Sequence, residues 1–155
     1  MLQRVQTLFL SVVLIACGLS FFLPFWGYSG NDYTYLVYLF SVKIVQGTSQ
    51  NIMVGTIPII VIMSICLLLT VVSIFSFKNR SLQLRLNNFN LLFTLFFIGT
   101  LYILIPSMIE EQLPLAVRTF NFGLILPLIS LVSLIFANMF IKKDENLVKS
   151  ADRLR

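Results

Sequence analysis

Few side chains in this sequence are able to do chemistry, and the absences are informative. There is no histidine, which removes imidazole acid–base catalysis and histidine metal ligation. Cys17 and Cys66 stand far apart, each inside an apolar run, and form neither a redox motif nor a metal-binding spacing. Glu110, Glu111 and Arg118 could be drawn as an acid–base set at a membrane surface. No nucleophile accompanies them, and no carboxylate cluster of metal-binding type exists. The expectation is a protein that is not an enzyme, with no catalytic residue, no cofactor and no metal.

The remaining charge is concentrated in two places. A short basic hairpin carries Lys78, Arg80 and Arg85, and a mixed tail carries Lys142, Lys143, Asp144, Glu145, Lys149, Asp152, Arg153 and Arg155. These eleven residues are the candidate contacts to lipid head groups or to another protein. In the tail, Leu147, Val148, Ala151 and Leu154 share a helical face, and Glu145 precedes Lys149 by the favourable four residues. A short amphipathic helix continuing the last span is expected. An anchor needs only positive charge, so the interleaved Asp144, Glu145 and Asp152 suggest a specific contact. The basic hairpin of the same chain is one candidate partner.

The elements that carry these charges are apolar. The chain has 155 residues, of which 58% are hydrophobic and only 11% charged, against about a quarter charged in a soluble domain. That excludes a soluble globular domain, a disordered chain and a nucleic-acid module. Four runs reach the roughly 20 residues that a spanning helix needs: about 5–26, 52–77, 89–109 and 121–141. None contains Asp, Glu, Lys, Arg or His. The fold class expected is an all-α membrane protein of one domain, a four-transmembrane-helix bundle.

Orientation follows from the flanking cations. Nine basic residues (Arg4 and those of the hairpin and tail) fall on one side, and Lys43 and Arg118 on the other. Both termini are therefore expected in the cytoplasm and the basic pI of about 9.5 reflects topology. Trp26, Tyr28, Tyr33, Tyr35, Tyr38 and Tyr102 fall near the opposite, outer interface, a depth amphipathic rings prefer. The segment Leu14-Ile15-Ala16-Cys17 imitates a lipoprotein cleavage box. The chain stays apolar through Phe25 where a polar tether belongs, so Cys17 reads as a small buried residue in a helix.

The first outer loop, about residues 27–51, alternates aromatic and β-branched residues. Tyr35, Val37, Leu39, Ser41 and Lys43 form one set, and Leu36, Tyr38, Phe40, Val42 and Ile44 the other. A small hairpin or sheet is expected there, with an interfacial helix as the rival, and it reads as a lid over the helix ends. Pro24, Pro58, Pro106 and Pro127 gather in the outer half. Pro24 and Pro106 suit helix ends; Pro127 is expected to kink its span, splaying an apolar outer cleft. Ala16, Gly18 and Ser20, with Ser130, Ser133 and Ala137, mark helix contacts. Asn90, Thr94 and Asn138 are expected to hydrogen-bond between helices.

Three segments carry a resemblance: LPFW at Leu23–Trp26, KNRSLQLRL from Lys78 to Leu86, and the terminal KKDENLVKSADRLR. They resemble an uncharacterised four-helix membrane family of Bacteroidota, carried as a domain of unknown function. The resemblance implies the plasma membrane of a Gram-negative bacterium and supplies no activity or site residue. The expected role is a non-catalytic accessory or assembly subunit of an inner-membrane complex, partnered by lipids and other membrane proteins and not by nucleic acid. The alternative is a lipid or apolar-ligand binder, or carrier, that uses the outer cleft.

Overall fold

A computed structural model describes the backbone of residues 2–30, 33–46, 56–77 and 79–153, and side chains from 5 to 146 within those stretches except that of Gln46. The chain is mostly helical, with a small antiparallel sheet at one end. Helix α1 covers Leu2–Leu19, α2 Ile57–Phe75 and α3 Arg80–Gly99; a π-helical turn, Thr100–Leu104, joins α3 to α4, Ile105–Gln112. Helix α5 runs from Ile125 to Arg153. Strands β1 (Trp26–Ser29), β2 (Thr34–Val37), β3 (Val42–Gln46) and β4 (Val117–Phe120) complete it.

Among the described residues, three helical stretches are long and apolar enough to cross a membrane: Ile57–Phe75, Arg80–Gln112 and Phe122–Asn146. Val5–Leu19 is apolar but shorter. The first run thus divides, where a helix to Trp26 was expected. Helix α1 stops at Leu19, and Pro24 ends any continuation because it has no N–H and pushes its predecessor towards extended backbone. Phe25 then donates its backbone N–H to Val37 O at 2.8 Å, and the aromatic run enters β1.

The sheet order is β3-β2-β1-β4. The first outer loop supplies β2 and β3, joined by a turn in which Tyr38 N–H reaches Ser41 O at 2.9 Å. Strand β4, between α4 and α5, pairs with β1 in the register Trp26↔Phe120 to Ser29↔Val117. Tyr35, Val37 and Leu39 are the alternate set that turns inwards. With Phe25, Trp26 and Tyr28 they join one apolar core with Leu101, Ile105, Ile109 and Leu124. Two glycines permit this closeness: a Cβ on Gly27 would overlap Thr119 Oγ1, and one on Gly123 would overlap Pro24 O.

Helix α1 packs on α5 and α2, α2 on α3, and α3 on α5. Ala16, Ser20, Ser130, Ser133 and Ala137 are buried, as close approach requires, whereas a Cβ on Gly18 would meet nothing within 4 Å. Large apolar side chains such as Leu68, Phe96 and Ile103 face outwards, a surface suited to hydrocarbon rather than water. Pro106 stands at the start of α4, as expected, whereas Pro127 does not sit deep in its span. Pro127 is the third residue of α5, near its start, where proline is tolerated. Pro106 lies within the continuous stretch Arg80–Gln112, beside the π turn.

Candidate functional site

Arg80, Arg85, Lys142, Lys143, Asp144 and Glu145, the described members of the charged set singled out in the sequence, gather at the end of the helical body that carries the α2–α3 hairpin. Asp144 turns inwards and is 8% exposed. Its Oδ2 accepts from Arg80 Nη2 at 3.1 Å and, at the long limit of 3.5 Å, from Gln6 Nε2. Gln6 Nε2 also approaches Phe140 O at 3.4 Å. This knot ties α1, α3 and α5 together. Arg85, Lys142 and Lys143 are exposed, and Glu145 is half-buried. The side chains of Lys149, Asp152 and Arg153 lie outside the described residues, as do Lys78 and Arg155 entirely. The backbone of α5 nevertheless carries the helix unbroken through Arg153.

A polar seam runs from this knot along the α2–α3 interface. Gln83 Nε2 donates to Ser73 O at 3.2 Å, and Ser73 Oγ donates to Asn87 Oδ1 at 2.6 Å. One turn further, Asn90 Nδ2 donates to Thr70 Oγ1 at 2.7 Å, and Thr94 Oγ1 donates to Asn90 O at 2.8 Å. Asn138 of α5 joins from the side, donating to Asn88 Oδ1 at 3.0 Å. Gln83, Asn87, Asn90 and Thr94 recur at the spacing that keeps one helix face towards a partner. Gln83 Oε1, Asn87 Nδ2, Asn90 Oδ1 and Asn138 Oδ1 have no protein partner. Among the described residues the seam contains no ionisable group, and its hydrogen bonds link α2 to α3 and α3 to α5.

The seam ends at a small, partly enclosed space where α1, α2, α3 and α5 meet. Its volume is about 10 Å³, and Cys17, Met63, Cys66, Thr94, Phe97 and Ser130 are among the residues around it. Cys17 Sγ lies 3.9 Å from Ser130 Oγ, and Cys66 Sγ 3.9 Å from Thr94 Oγ1. Both thiols are free and buried. Where the outer cleft was expected, the sheet's aromatic face packs against the helix ends. Pockets of 440 and 250 Å³ do exist, but they are open grooves on the outside of the π turn and beside Phe120 and Phe122.

The sheet is fastened to the π turn by Trp26. Ile105 N–H bonds to Thr100 O, in the π register. Leu101 O thereby loses its ordinary α-helical donor, and its π-register donor would be Pro106, which has none. The indole Nε1–H of Trp26 donates to that orphaned carbonyl at 2.9 Å. Arg118 covers the Trp26 ring at 4.8 Å and pairs with Glu110 at 3.2 Å on a half-exposed edge, with Glu111 exposed beside it. Tyr28, opposite Arg118 in the β1–β4 register, has a buried hydroxyl without a partner. Burial first, and then the charge of Glu110, push its pKa up to about 12, against an opposing effect of Arg118.

A family model for a domain of unknown function, DUF4293, matches residues 2–154. The chain belongs to that family. No curated protein and no solved structure matches it. DUF4293 membership brings no activity, so every role here rests on geometry. Of the sequence-selected charges, Arg80 and Asp144 are brought into contact with each other. Gln6, Thr70, Ser73, Gln83 and Asn87 went unselected. The recurrence of amides at Gln83, Asn87 and Asn90 was the signal that could have found the seam, had the third span been started at Arg80 rather than Phe89. Among the described residues no group of three or more His, Cys, Asp or Glu is placed to hold a metal.

Proposed function

We propose that this DUF4293 chain is a non-catalytic, multi-pass inner-membrane protein, with both termini in the cytoplasm, that serves as an accessory or assembly subunit of a larger membrane complex. The observation that carries the reading is α5, which continues without a break from its apolar stretch through a charged segment to Arg153. The Asp144–Arg80–Gln6 knot sets the direction of that extension, while Lys142 and Lys143 remain exposed on it. A rigid charged helix projecting from a greasy body is a means of presenting a docking face, and it contributes little to the body's own packing. Arg85 and its neighbours in the hairpin then lie against anionic head groups.

Crosslinking and affinity purification in mild detergent, with the chain intact and ended after Asn146, test this. Recovery of a defined partner by the intact chain, lost on truncation and weakened by Lys142→Ala with Lys143→Ala, supports the role. A lone monomer in every mild detergent refutes it.

A further inference from the structure

We propose that Cys17, Met63 and Cys66 form a binding site for one soft monovalent cation, Cu(I), inside the helical body. The three residues border the same partly enclosed space of about 10 Å³ and are each 2–3% exposed. Met63 and Cys66 stand one turn apart on the same face of α2, and Cys17 comes from α1. Two cysteines and a methionine from two helices thus border one space where a single atom-sized guest fits.

The chemistry of the surroundings selects the guest. No carboxylate, amine or guanidinium lines the space, so hard cations that need charged oxygen ligands have no purchase. Zinc requires four ligands in a structural site, and three sulfurs are present. Thiolate and thioether ligands favour Cu(I). Charge balance agrees, since an uncompensated charge in an apolar interior is strongly disfavoured. One thiol loses its proton to solvent and binds the cation as thiolate, giving a neutral Cu–S bond. The second thiol and the thioether coordinate as neutral donors. Copper remains Cu(I) throughout, and no electron moves. The hydroxyls of Ser130 and Thr94, each 3.9 Å from one sulfur, are placed to orient the two cysteines, the supporting role that outer partners play at metal sites.

The test uses the full-length protein in detergent, reduced and without oxygen, titrated with Cu(I) as its bicinchoninate complex. Withdrawal of one Cu(I) per chain from the coloured complex is the expected result, with sulfur as the copper neighbours in X-ray absorption. Met63→Leu preserves side-chain volume and should weaken binding about tenfold; Cys17→Ser and Cys66→Ser, each removing a ligand outright, should weaken it beyond about 100-fold. Met108→Leu, at an exposed methionine, should change nothing. Circular dichroism of each variant separates lost binding from lost fold, and Met63→Leu serves if the serine variants do not fold. Wild-type protein that leaves the complex intact overturns the proposal. So does binding that a folded Met63→Leu, Cys17→Ser or Cys66→Ser variant retains in full.

Discussion

The Trp26–Leu101 hydrogen bond invites a double-mutant cycle with Pro106. Trp26 is 1% exposed, and its indole N–H serves a carbonyl that neither helical register supplies with a donor. Trp26→Phe leaves that carbonyl buried and unpaired, a penalty of about 1–3 kcal/mol. The smaller ring adds about 1–2 kcal/mol of lost packing and weakens the stacking of Arg118 by about 0.5 kcal/mol. The single variant should therefore lose about 2.5–5.5 kcal/mol, the sum of those three effects. Pro106→Ala changes the background in one respect: it restores a backbone N–H. Leu101 O then finds its donor in that new N–H if the π register persists, or in Ile105 if the turn relaxes to α. In that background only the packing and stacking losses remain, so the two substitutions should couple by about 1–3 kcal/mol. Unfolding by sodium dodecyl sulfate in mixed micelles, followed by circular dichroism, measures all four corners. Trp26 is the only tryptophan in the chain, so its emission independently reports whether Pro106→Ala disturbs the indole. Equal losses for Trp26→Phe in both backgrounds, within about 0.5 kcal/mol, would refute the idea that the tryptophan serves the π turn's orphaned carbonyl.

Two further outcomes are expected. Tyr28 is neutral when protonated and its pKa is raised in the folded chain from 10.0 to about 12; its stabilising contribution is therefore complete below pH 10 and is lost as pH rises from 10 to 12. An alkaline unfolding titration should show this loss in wild type and a smaller loss in Tyr28→Phe, a variant close to neutral at pH 7 because the hydroxyl removed has no partner. At the other end, Arg80→Gln leaves the Asp144 carboxylate without its cation and should destabilise by about 1–3 kcal/mol, below the range for fully buried pairs because Arg80 is partly exposed; adding Asp144→Asn should recover a good part of that in the same detergent unfolding assay, and equal stability of the two variants would deny the pair its role.

The apolar stretches were legible because burial of charge-free segments dominates every other preference at that length. Their ends were not. Hydropathy gives Phe25 and Trp26 the same weight whether they continue a helix or begin a strand, and only the pairing of Phe25 with Val37 decides. Strand β4 was out of reach for a related reason: four exposed residues, Arg118 and Thr119 among them, take their conformation from a partner strand far earlier in the chain. The inward set of β2 was readable from its alternation, since Tyr35, Val37 and Leu39 sit in a half-buried sheet. The seam was half readable. Asn90, Thr94 and Asn138 stood out against greasy neighbours, whereas Gln83 and Asn87 were lost among Arg80, Arg85 and Asn88 in a stretch that looked like loop. The convergence of Cys17 and Cys66 could not be read at all, because their relative depth depends on where α1 and α2 begin.

These details have a common physical basis. Between helices in hydrocarbon the usual drive to hide apolar surface is absent, since lipid is as apolar as leucine. An apolar stripe therefore leaves the rotation and depth of each helix poorly specified. In this chain the specification falls to polar groups at three levels: Asp144 with Arg80 and Gln6 at the hairpin end, the amides of Asn87 and Asn90 along the middle, and the Trp26 indole on Leu101 O at the sheet end. A one-residue slip of α3 against α2 would unpair Asn87 and Asn90 together, and a similar slip beyond the π turn would remove the carbonyl that Trp26 needs. Each level thus fixes what the others assume, and the sulfur-lined space between α1 and α2 inherits its geometry from all three.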